Sequence, residues 1–357
     1  MPDVLLFGAT GFTGRLTAHA LARRQVDFAI AGRDRTKLLS LASEVGDPEV
    51  RIAEVGDADA LVSALGDVRV MISCVGPFIE LGDTAVEAAL RARVHYLDST
   101  GEGPFIARLV ESRSDDARDA AVALVPAMGF DEVPADVAAT LATEGLESPE
   151  LTLTYAVPST ASSGTARSIP RILASAGRFI EHGRVVEVRA GQRRRWSPMP
   201  APLGPRPAAS FPLSVLEVAP LHLNLRSFET YVTTSSAQQA ALKAALPLLR
   251  ASLAIGPVER ALKGVLGRVP GPHVEARKKR WTILAEARGS NGFRNVVVQG
   301  ADVYGLTAET LAAGAARMAE DGYDRSGVLS PVQAMDLDYL QKELINQGVS
   351  VETYGPT

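Results

Sequence analysis

The stretch that decides the fold is Gly8–Arg15, "GATGFTGR", which stands between an apolar run and an amphipathic one. The preceding "DVLLF" is typical of a buried strand, and "TGRLTAHALARR" is typical of a helix. Gly8, Gly11 and Gly14 therefore fall where a strand passes into a helix. Side chains are missing at three points of one turn, which indicates that something approaches the backbone closely there.

The first 126 residues alternate short apolar strands with helices. The predicted strands are "DVLLF", "DFAIAG", "VRIAEV", "VRVMISCV", "VHYLD" and "AVALVP". Strands that are apolar throughout are expected where helices cover both faces of a parallel sheet. Six such strands joined by right-handed crossovers form a doubly wound α/β sheet, so the sequence predicts a Rossmann domain over residues 1–127.

In a sheet of this kind the glycines of the first turn have distinct tasks. One permits the tight turn, a second lets the backbone approach a pyrophosphate, and a third lets the helix pack against the strand. Free amides at the helix N-terminus then bind phosphate oxygens. The spacing G-x-x-G-x-x-G differs from the commoner G-x-G-x-x-G, but its place between strand and helix favours a dinucleotide over a merely flexible turn. The residues expected at the cofactor are Gly8, Thr10, Gly11, Phe12, Thr13, Gly14 and Arg15.

The tip of the second strand indicates which dinucleotide is bound. NAD sites usually carry an acid there, whereas "AIAGRDRTK" presents Arg33, followed by Lys37. A guanidinium offers a planar fork of donors that suits a 2′-phosphate. The alternative is that these are solvated surface charges, and Asp34 lies among them. We expect NADP(H).

Two further strand ends carry candidate ligand contacts. "SCVGPF" follows the fourth strand, and its turn suits a loop against the nicotinamide half of the cofactor. The residues expected there are Ser73, Val75, Gly76 and Pro77. Cys74 is expected to pack as a small hydrophobe rather than to react.

Carboxylates follow the fifth and sixth strands. Asp98 and Glu102 lie in "HYLDSTGE", and Asp131 in "GFDEVPAD". The carboxyl ends of the strands border the ligand crevice of such a sheet, so these three acids are the candidates for proton transfer. The alternative is local: Asp98 bonds turn amides or caps a helix, and Asp131 or Asp136 caps the next helix. Phe78, Tyr96 and Thr100 are the neighbouring candidates for substrate contact.

The middle of the chain predicts a second, α+β domain. Its strand-like runs lack regular intervening helices, which excludes another doubly wound unit; they are "LTLTYAV", "RVVEVRA", "LHLNLRSFETYVTT", "WTILAEARG" and "RNVVVQG". Ser163–Ile180 is predicted as a helix whose N-terminus offers Thr165 and Ser168 either to a substrate oxygen or as caps. Ala241–Pro272 is apolar with spaced basic residues, and is either a pair of packed helices or an amphipathic lid. His222 is expected to pack within a strand.

Bulk properties exclude several classes. The chain has 357 residues and a net charge of −4, which gives no electrostatic reason to expect nucleic acid. Its single cysteine permits no intramolecular disulfide and fits a reducing cytoplasm. We expect no signal peptide, because a strand begins by residue 4. We also expect no membrane span and no metal site, because no apolar run is long enough and no histidine spacing indicates a metal.

Together the motifs "GATGFTGR", "AGR", "SCVGPF", "HYLDSTGE" and "GFDEVPAD" resemble the saccharopine dehydrogenase-like oxidoreductases, and most of all the actinobacterial trans-acting enoyl reductases. "SSGTARSI", "DVYGLTAETLAAGAARM" and "GVLSPVQAM" extend the resemblance along nearly the whole chain. It implies a Rossmann domain interrupted by a mixed-sheet domain, with a C-terminal segment that returns to the Rossmann part. Phe78 and Glu132 depart from the residues that are common in relatives, Tyr and Ser.

The sequence therefore predicts domains at residues 1–127, 128–300 and 301–357, the last a helical segment packing back on the first. The expected function is NADP(H)-dependent reduction of an enoyl group in an apolar lipid or polyketide-type substrate. Reduction of an imine or carbonyl and a non-catalytic redox sensor stay open, as do a homodimer and peripheral membrane contact. A short-chain dehydrogenase is disfavoured, because no tyrosine has a lysine four residues later.

Overall fold

The computed structural model describes residues 1–157, 176–235 and 279–355, which form two compact units. The first unit comprises Met1–Val133 and Val303–Glu343. The second comprises Pro134–Asp302 and Leu344–Thr357. Among the described residues, no helix is both long and apolar enough to cross a membrane.

A seven-stranded parallel sheet forms the centre of the first unit. Its strands, numbered along the chain, are β1 (Val4–Phe7), β2 (Phe28–Gly32), β3 (Glu49–Ile52), β4 (Val70–Ser73), β5 (His95–Asp98), β6 (Ala123–Val125) and β15 (Gly327–Val328). They lie side by side in the order β15-β6-β5-β4-β1-β2-β3, and every pair is parallel. This confirms the doubly wound sheet; the seventh strand, β15, comes from the C-terminal segment and was not predicted.

Helices α1 to α5 connect successive strands of this sheet. The helices of the first unit are α1 (Phe12–Arg23), α2 (Arg35–Glu44), α3 (Ala58–Leu65), α4 (Phe78–Ala92), α5 (Gly103–Asp119), α8 (Val303–Met318), α9 (Pro331–Met335) and most of α10 (Leu337–Asn346). The second unit contains α6 (Val133–Thr143), apart from its first residue, and α7 (Val215–Val218). All four residues of β1 are buried, whereas the edge strand β3 is partly exposed. The strands are apolar because the sheet forms the core, and their carboxyl ends point to one edge.

The second unit contains a mixed sheet of nine strands. They are β7 (Glu150–Ala156), β8 (Ala176–Glu181), β9 (Arg184–Arg189), β10 (Arg194–Ser197), β11 (Arg206–Ser210), β12 (Ser227–Thr233), β13 (Arg280–Gly289), β14 (Gly292–Ala301) and β16 (Ser350–Tyr354). Seven of them follow the order β10-β11-β12-β7-β13-β14-β16, while β8 pairs with β12 and β9. β7 and β12 are parallel and the other pairs antiparallel, which confirms the mixed sheet.

The structure differs from the sequence prediction at three places in this unit. Ala176–Ile180, predicted as the end of a helix, belongs to β8, because it pairs with β9. His222 follows a short 3-10 turn instead of lying in a strand, since β12 begins only at Ser227. The last strand, β16, pairs with β14, so the C-terminal residues join the mixed sheet rather than the Rossmann part.

Candidate active site

The glycine turn between β1 and α1 shows why two of its glycines are needed. Gly8 has φ +79°, and a Cβ there would lie 2.6 Å from Cγ2 of Val75. A Cβ on Gly14 would lie 2.3 Å from the carbonyl oxygen of Gly8. The first glycine therefore permits the turn, and the last lets α1 lie against it.

Gly11 is different, because little protein surrounds it. It is exposed, and a Cβ there would meet only the carbonyl oxygen of Gly8, at 3.3 Å. It is also the N-cap of α1, and no side chain caps that helix. The amides of the first turn, from Phe12 to Gly14, are thus available to an anion, and the space that a side chain at Gly11 would fill fits a pyrophosphate.

The charged residues near the tip of β2 differ in whether they form ion pairs within the protein. Arg33 directly follows the strand, is exposed, and has no ion-pair partner among the residues that the structure describes. Asp34 caps α2 by accepting a hydrogen bond from the amide of Lys37, and its carboxylate lies 2.9 Å from Nζ of Lys37. Arg15 is bound to Glu44 at 2.7 Å. Of the expected phosphate ligands, Arg33 is therefore the one whose charge is left for a 2′-phosphate.

The loop after β4 adjoins the glycine turn. Ser73, the last residue of β4, is buried, and Val75 faces Gly8. Gly76 and Pro77, joined by a cis peptide bond, are exposed and half-buried, respectively. Burial raises the pKa of the Cys74 thiol to about 12, which keeps it protonated at neutral pH, as expected for a packed cysteine.

Asp98 lies at the end of β5 and is fully buried. Its Oδ1 accepts hydrogen bonds from the amides of Thr100 (2.8 Å) and Ala127 (2.9 Å), and its Oδ2 accepts one from the phenol of Tyr96 (2.7 Å). Burial raises the pKa of this carboxyl to about 6, although the two amides act in the opposite direction. The carboxyl connects the loops that follow β5 and β6, which is the local role weighed against proton transfer.

Glu102 is 7% exposed and caps α4. The sequence did not suggest this contact with α4. Its two carboxylate oxygens accept hydrogen bonds from the amides of Phe78 (2.9 Å) and Ile79 (3.1 Å). These are the first residues of α4, whereas Glu102 itself immediately precedes α5. A carboxylate at a helix N-terminus satisfies unpaired amides and favours the helix dipole.

The expected substrate contacts lie mostly in the core. Phe78, Tyr96 and Thr100 are at most 6% exposed, and the ring of Phe78 packs 5.8 Å from that of Phe105. Phe78 on α4 and Tyr96 on β5 belong to the hydrophobic core. Thr100 follows β5, and its Oγ1 accepts a hydrogen bond from the amide of Glu102 at 3.1 Å. Thr165 and Ser168, and the candidate lid of residues 241–272, lie outside the described residues.

Asp131 is the one exposed carboxylate of the three candidates. It lies in the turn between β6 and α6, at the carboxyl edge of the parallel sheet. Although the residue reaches solvent, the protein around it removes part of its hydration and raises the pKa to about 6. It therefore exchanges a proton close to neutral pH.

The sequence did not predict the contact between His222 and Asp136. Nε2 of His222 lies 2.7 Å from Oδ1 of Asp136, which is fully buried in the first turn of α6. Nothing local could reveal a pairing over 86 positions. Among the described residues, no group of three or more His, Cys, Asp or Glu side chains is arranged to hold a metal ion.

Comparisons with known proteins confirm the family resemblance. Residues 4–129 match the family model of the saccharopine dehydrogenase NADP binding domain. NADP is therefore the cofactor, as Arg33 and the glycine turn predict.

Two relatives and one solved structure extend the comparison. Proteins named trans-acting enoyl reductase from Mycobacterium tuberculosis and Mycobacterium ulcerans are 31% and 30% identical over 141 residues, which are 38% of this chain and 34% of each relative. The match thus spans about a third of the length of these relatives. Apo saccharopine dehydrogenase (L-Glu forming) from Saccharomyces cerevisiae covers the whole of both chains with a TM-score of 0.64 at 15% identity, which shows a shared fold.

Proposed function

We propose that the protein is an NADPH-dependent oxidoreductase that reduces the C=C bond of an enoyl group in an apolar, lipid or polyketide-type substrate. The proposal rests on the exposed glycine turn at Gly11 and on Arg33, which we call the cofactor cradle. Both lie within a domain of the saccharopine dehydrogenase NADP-binding type. The names of the mycobacterial relatives support the enoyl group as substrate.

Such a reduction needs a hydride and a proton. Bound NADPH supplies the hydride when it reduces a carbon–carbon double bond. The proton comes from solvent or from a side chain of the protein, and the best side-chain donor has a pKa near the working pH. Asp131 meets this requirement, since it is exposed at the sheet edge and its pKa is about 6. We therefore assign Asp131 the role of general acid, and propose that Asp98 and Glu102 stabilise the loops around it.

We also propose the following domain division, assembly and location of the protein. The domain division at residues 127 and 300, a homodimer, peripheral membrane contact through residues 241–272 and a cytoplasmic location all fit this function. Reduction of an imine or carbonyl of a secondary metabolite would use the same cradle and the same acid. A redox sensor would bind NADPH without oxidising it.

The test is single-turnover NADPH oxidation with trans-2-octenoyl N-acetylcysteamine thioester, compared with carbonyl and imine probes. Asp131→Asn should slow oxidation by about 100-fold or more, because general-acid catalysis contributes roughly 10²–10⁴, while NADPH affinity stays unchanged. Asp115→Asn is the matched control, since that side chain is 93% exposed and lies on α5. Equal rates in the two variants would contradict the assignment, and no oxidation with any probe would favour the sensor.

A further inference from the structure

Asp131 follows a short loop, Ala127–Phe130, that is held from two sides. We propose that Thr307 and Thr310 of α8 are positioning residues that fix this loop and thereby direct the carboxylate of Asp131. The inference rests on the proposed function only in taking Asp131 as the proton donor. The contacts that carry it all lie within the first compact unit.

The first side of the loop is held by Asp98. Its carboxylate accepts the amide hydrogen of Ala127 at 2.9 Å, and its backbone carbonyl accepts that of Met128 at 2.7 Å. Ala127 has φ +61°, a left-handed conformation that a non-glycine residue adopts only when its surroundings impose it. The start of the loop is thus fixed relative to β5.

The second side is held by two threonines one turn apart on α8. Oγ1 of Thr307 accepts a hydrogen bond from the amide of Phe130 at 3.0 Å. The hydroxyl hydrogen of Thr310 is shared between the carbonyl of Met128 (2.9 Å) and that of Thr307 (3.0 Å). Thr307 also donates to the carbonyl of Val303 at 2.8 Å, which points its hydrogen along the helix and leaves a lone pair for Phe130.

Gly129, between these two anchors, lies directly on the helix. A Cβ there would be 3.2 Å from Cγ2 of Thr307, closer than ordinary contact. The chain then turns, since the carbonyl of Gly129 accepts hydrogen bonds from the amides of Glu132 (3.3 Å) and Val133 (2.9 Å). Asp131 is therefore flanked by an anchored residue on one side and the first turn of α6 on the other.

The consequence is that α8 holds the backbone directly before Asp131, and thereby limits where its carboxylate can reach. Proton transfer requires that the donor lie close to the carbon that is protonated. A displacement of about 1 Å can lower the rate by about 100-fold. Loss of the Phe130–Thr307 hydrogen bond removes one anchor of the residue directly before Asp131. The alternative is that the threonines only stabilise the fold, in which case their loss lowers the melting temperature without altering the proton donor.

A matched pair of variants separates these roles. Thr307→Val keeps the shape of the side chain and removes the oxygen, whereas Thr307→Ser keeps the oxygen. With the octenoyl thioester, Thr307→Val should lower kcat by about 10- to 100-fold and shift the pKa in the kcat–pH profile, with NADPH affinity unchanged. Thr307→Ser should restore both within about threefold of the wild type.

A second readout does not depend on turnover. The titration of Asp131 is followed by carboxyl carbon NMR in protein labelled at aspartate, with the resonance assigned by its loss in Asp131→Asn. The midpoint should move in Thr307→Val and stay in place in Thr307→Ser. Should Thr307→Val melt below the assay temperature, Thr310→Val removes the other anchor and serves in its place.

The two hypotheses fail separately. If Asp131→Asn is inactive but Thr307→Val keeps its rate, its pH profile and the Asp131 midpoint, the positioning role is wrong and the proton donor stands. If Asp131→Asn keeps its activity, the proton donor is wrong, whatever the threonine variants do.

Discussion

Replacement of Asp98 by asparagine separates a structural carboxylate from a catalytic one. Asparagine has the same shape, and its Oδ1 can still accept the amide hydrogens of Thr100 and Ala127. Its Nδ2 would face the phenol oxygen of Tyr96, which can accept a hydrogen bond. The variant therefore removes the buried charge and keeps the connection between the two loops.

The size of the effect follows from the pKa. The Asp98 pKa is about 6 in the folded protein, against about 3.9 in an unfolded chain. A difference of two pH units corresponds to about 3 kcal/mol by which folding disfavours the charged carboxylate. Because the folded-state pKa is raised, the neutral Asp98 carboxyl contributes to the unfolding free energy below about pH 4, and this contribution is lost as the pH rises through about 6. Asp98→Asn should escape the loss and be about 1–3 kcal/mol more stable than the wild type at about pH 8.

Urea denaturation at a series of pH values measures this directly. The difference in unfolding free energy between variant and wild type should grow from about pH 4 to about pH 6 and then stay constant. Single-turnover NADPH oxidation should be unchanged, because the loop before Asp131 keeps its anchor. A variant that is less stable at every pH, or that loses hydride transfer while remaining folded, would refute the structural reading of Asp98.

Further predictions concern the cofactor cradle and the helix caps. Arg33→Ala should weaken NADPH binding by about 10- to 150-fold, the worth of a charge-assisted hydrogen bond, and leave NADH binding unchanged by calorimetry; equal losses for both would exclude a 2′-phosphate contact. Gly11→Ala should stay folded but lose affinity for both cofactors, whereas Gly14→Ala should destabilise the fold by about 1–3 kcal/mol or more in urea, because its Cβ would lie 2.3 Å from a carbonyl oxygen. Glu102→Gln should cost about 1–3 kcal/mol of unfolding free energy, since an amide can accept only one of the two hydrogen bonds at α4; an unchanged urea midpoint would contradict this cap. Desolvation lowers the pKa of His95, whose Nδ1 accepts the amide hydrogen of Ala123. The unfolding free energy should therefore fall as the pH drops below about 6.5. His95→Gln should lack that fall in the same urea titration.

The Rossmann sheet was predictable because its evidence is local. Each strand is an apolar run of a few residues, each crossover is a helix with its own periodicity, and the right-handedness of such connections limits the possible topologies. The same holds for the cofactor: Gly8, Gly11 and Gly14 lie in one turn, and Arg33 directly follows one strand. No long-range contact is needed to interpret them.

The roles of the carboxylates were not predictable, because they depend on contacts between distant residues. Asp98 and Asp131 both follow strands at the same sheet edge, yet one is buried and the other exposed. Glu102 caps a helix that begins 24 residues earlier, where a sequence pattern suggests only the helix that follows it. The mixed sheet was incompletely predicted for a similar reason: β10 and β16 are short, partly polar edge strands, which form through pairing rather than propensity.

The most direct test of an NADPH-dependent enoyl reductase is the fate of the hydride. NADPH carrying deuterium at C4 of the nicotinamide, in each of its two stereochemical forms, is incubated with the protein and the trans-2-octenoyl thioester, and the product is analysed by mass spectrometry. We expect a saturated product that contains deuterium from one form only, at a rate reduced by Asp131→Asn. Tight NADPH binding with no deuterium in the product of this thioester would contradict enoyl reduction.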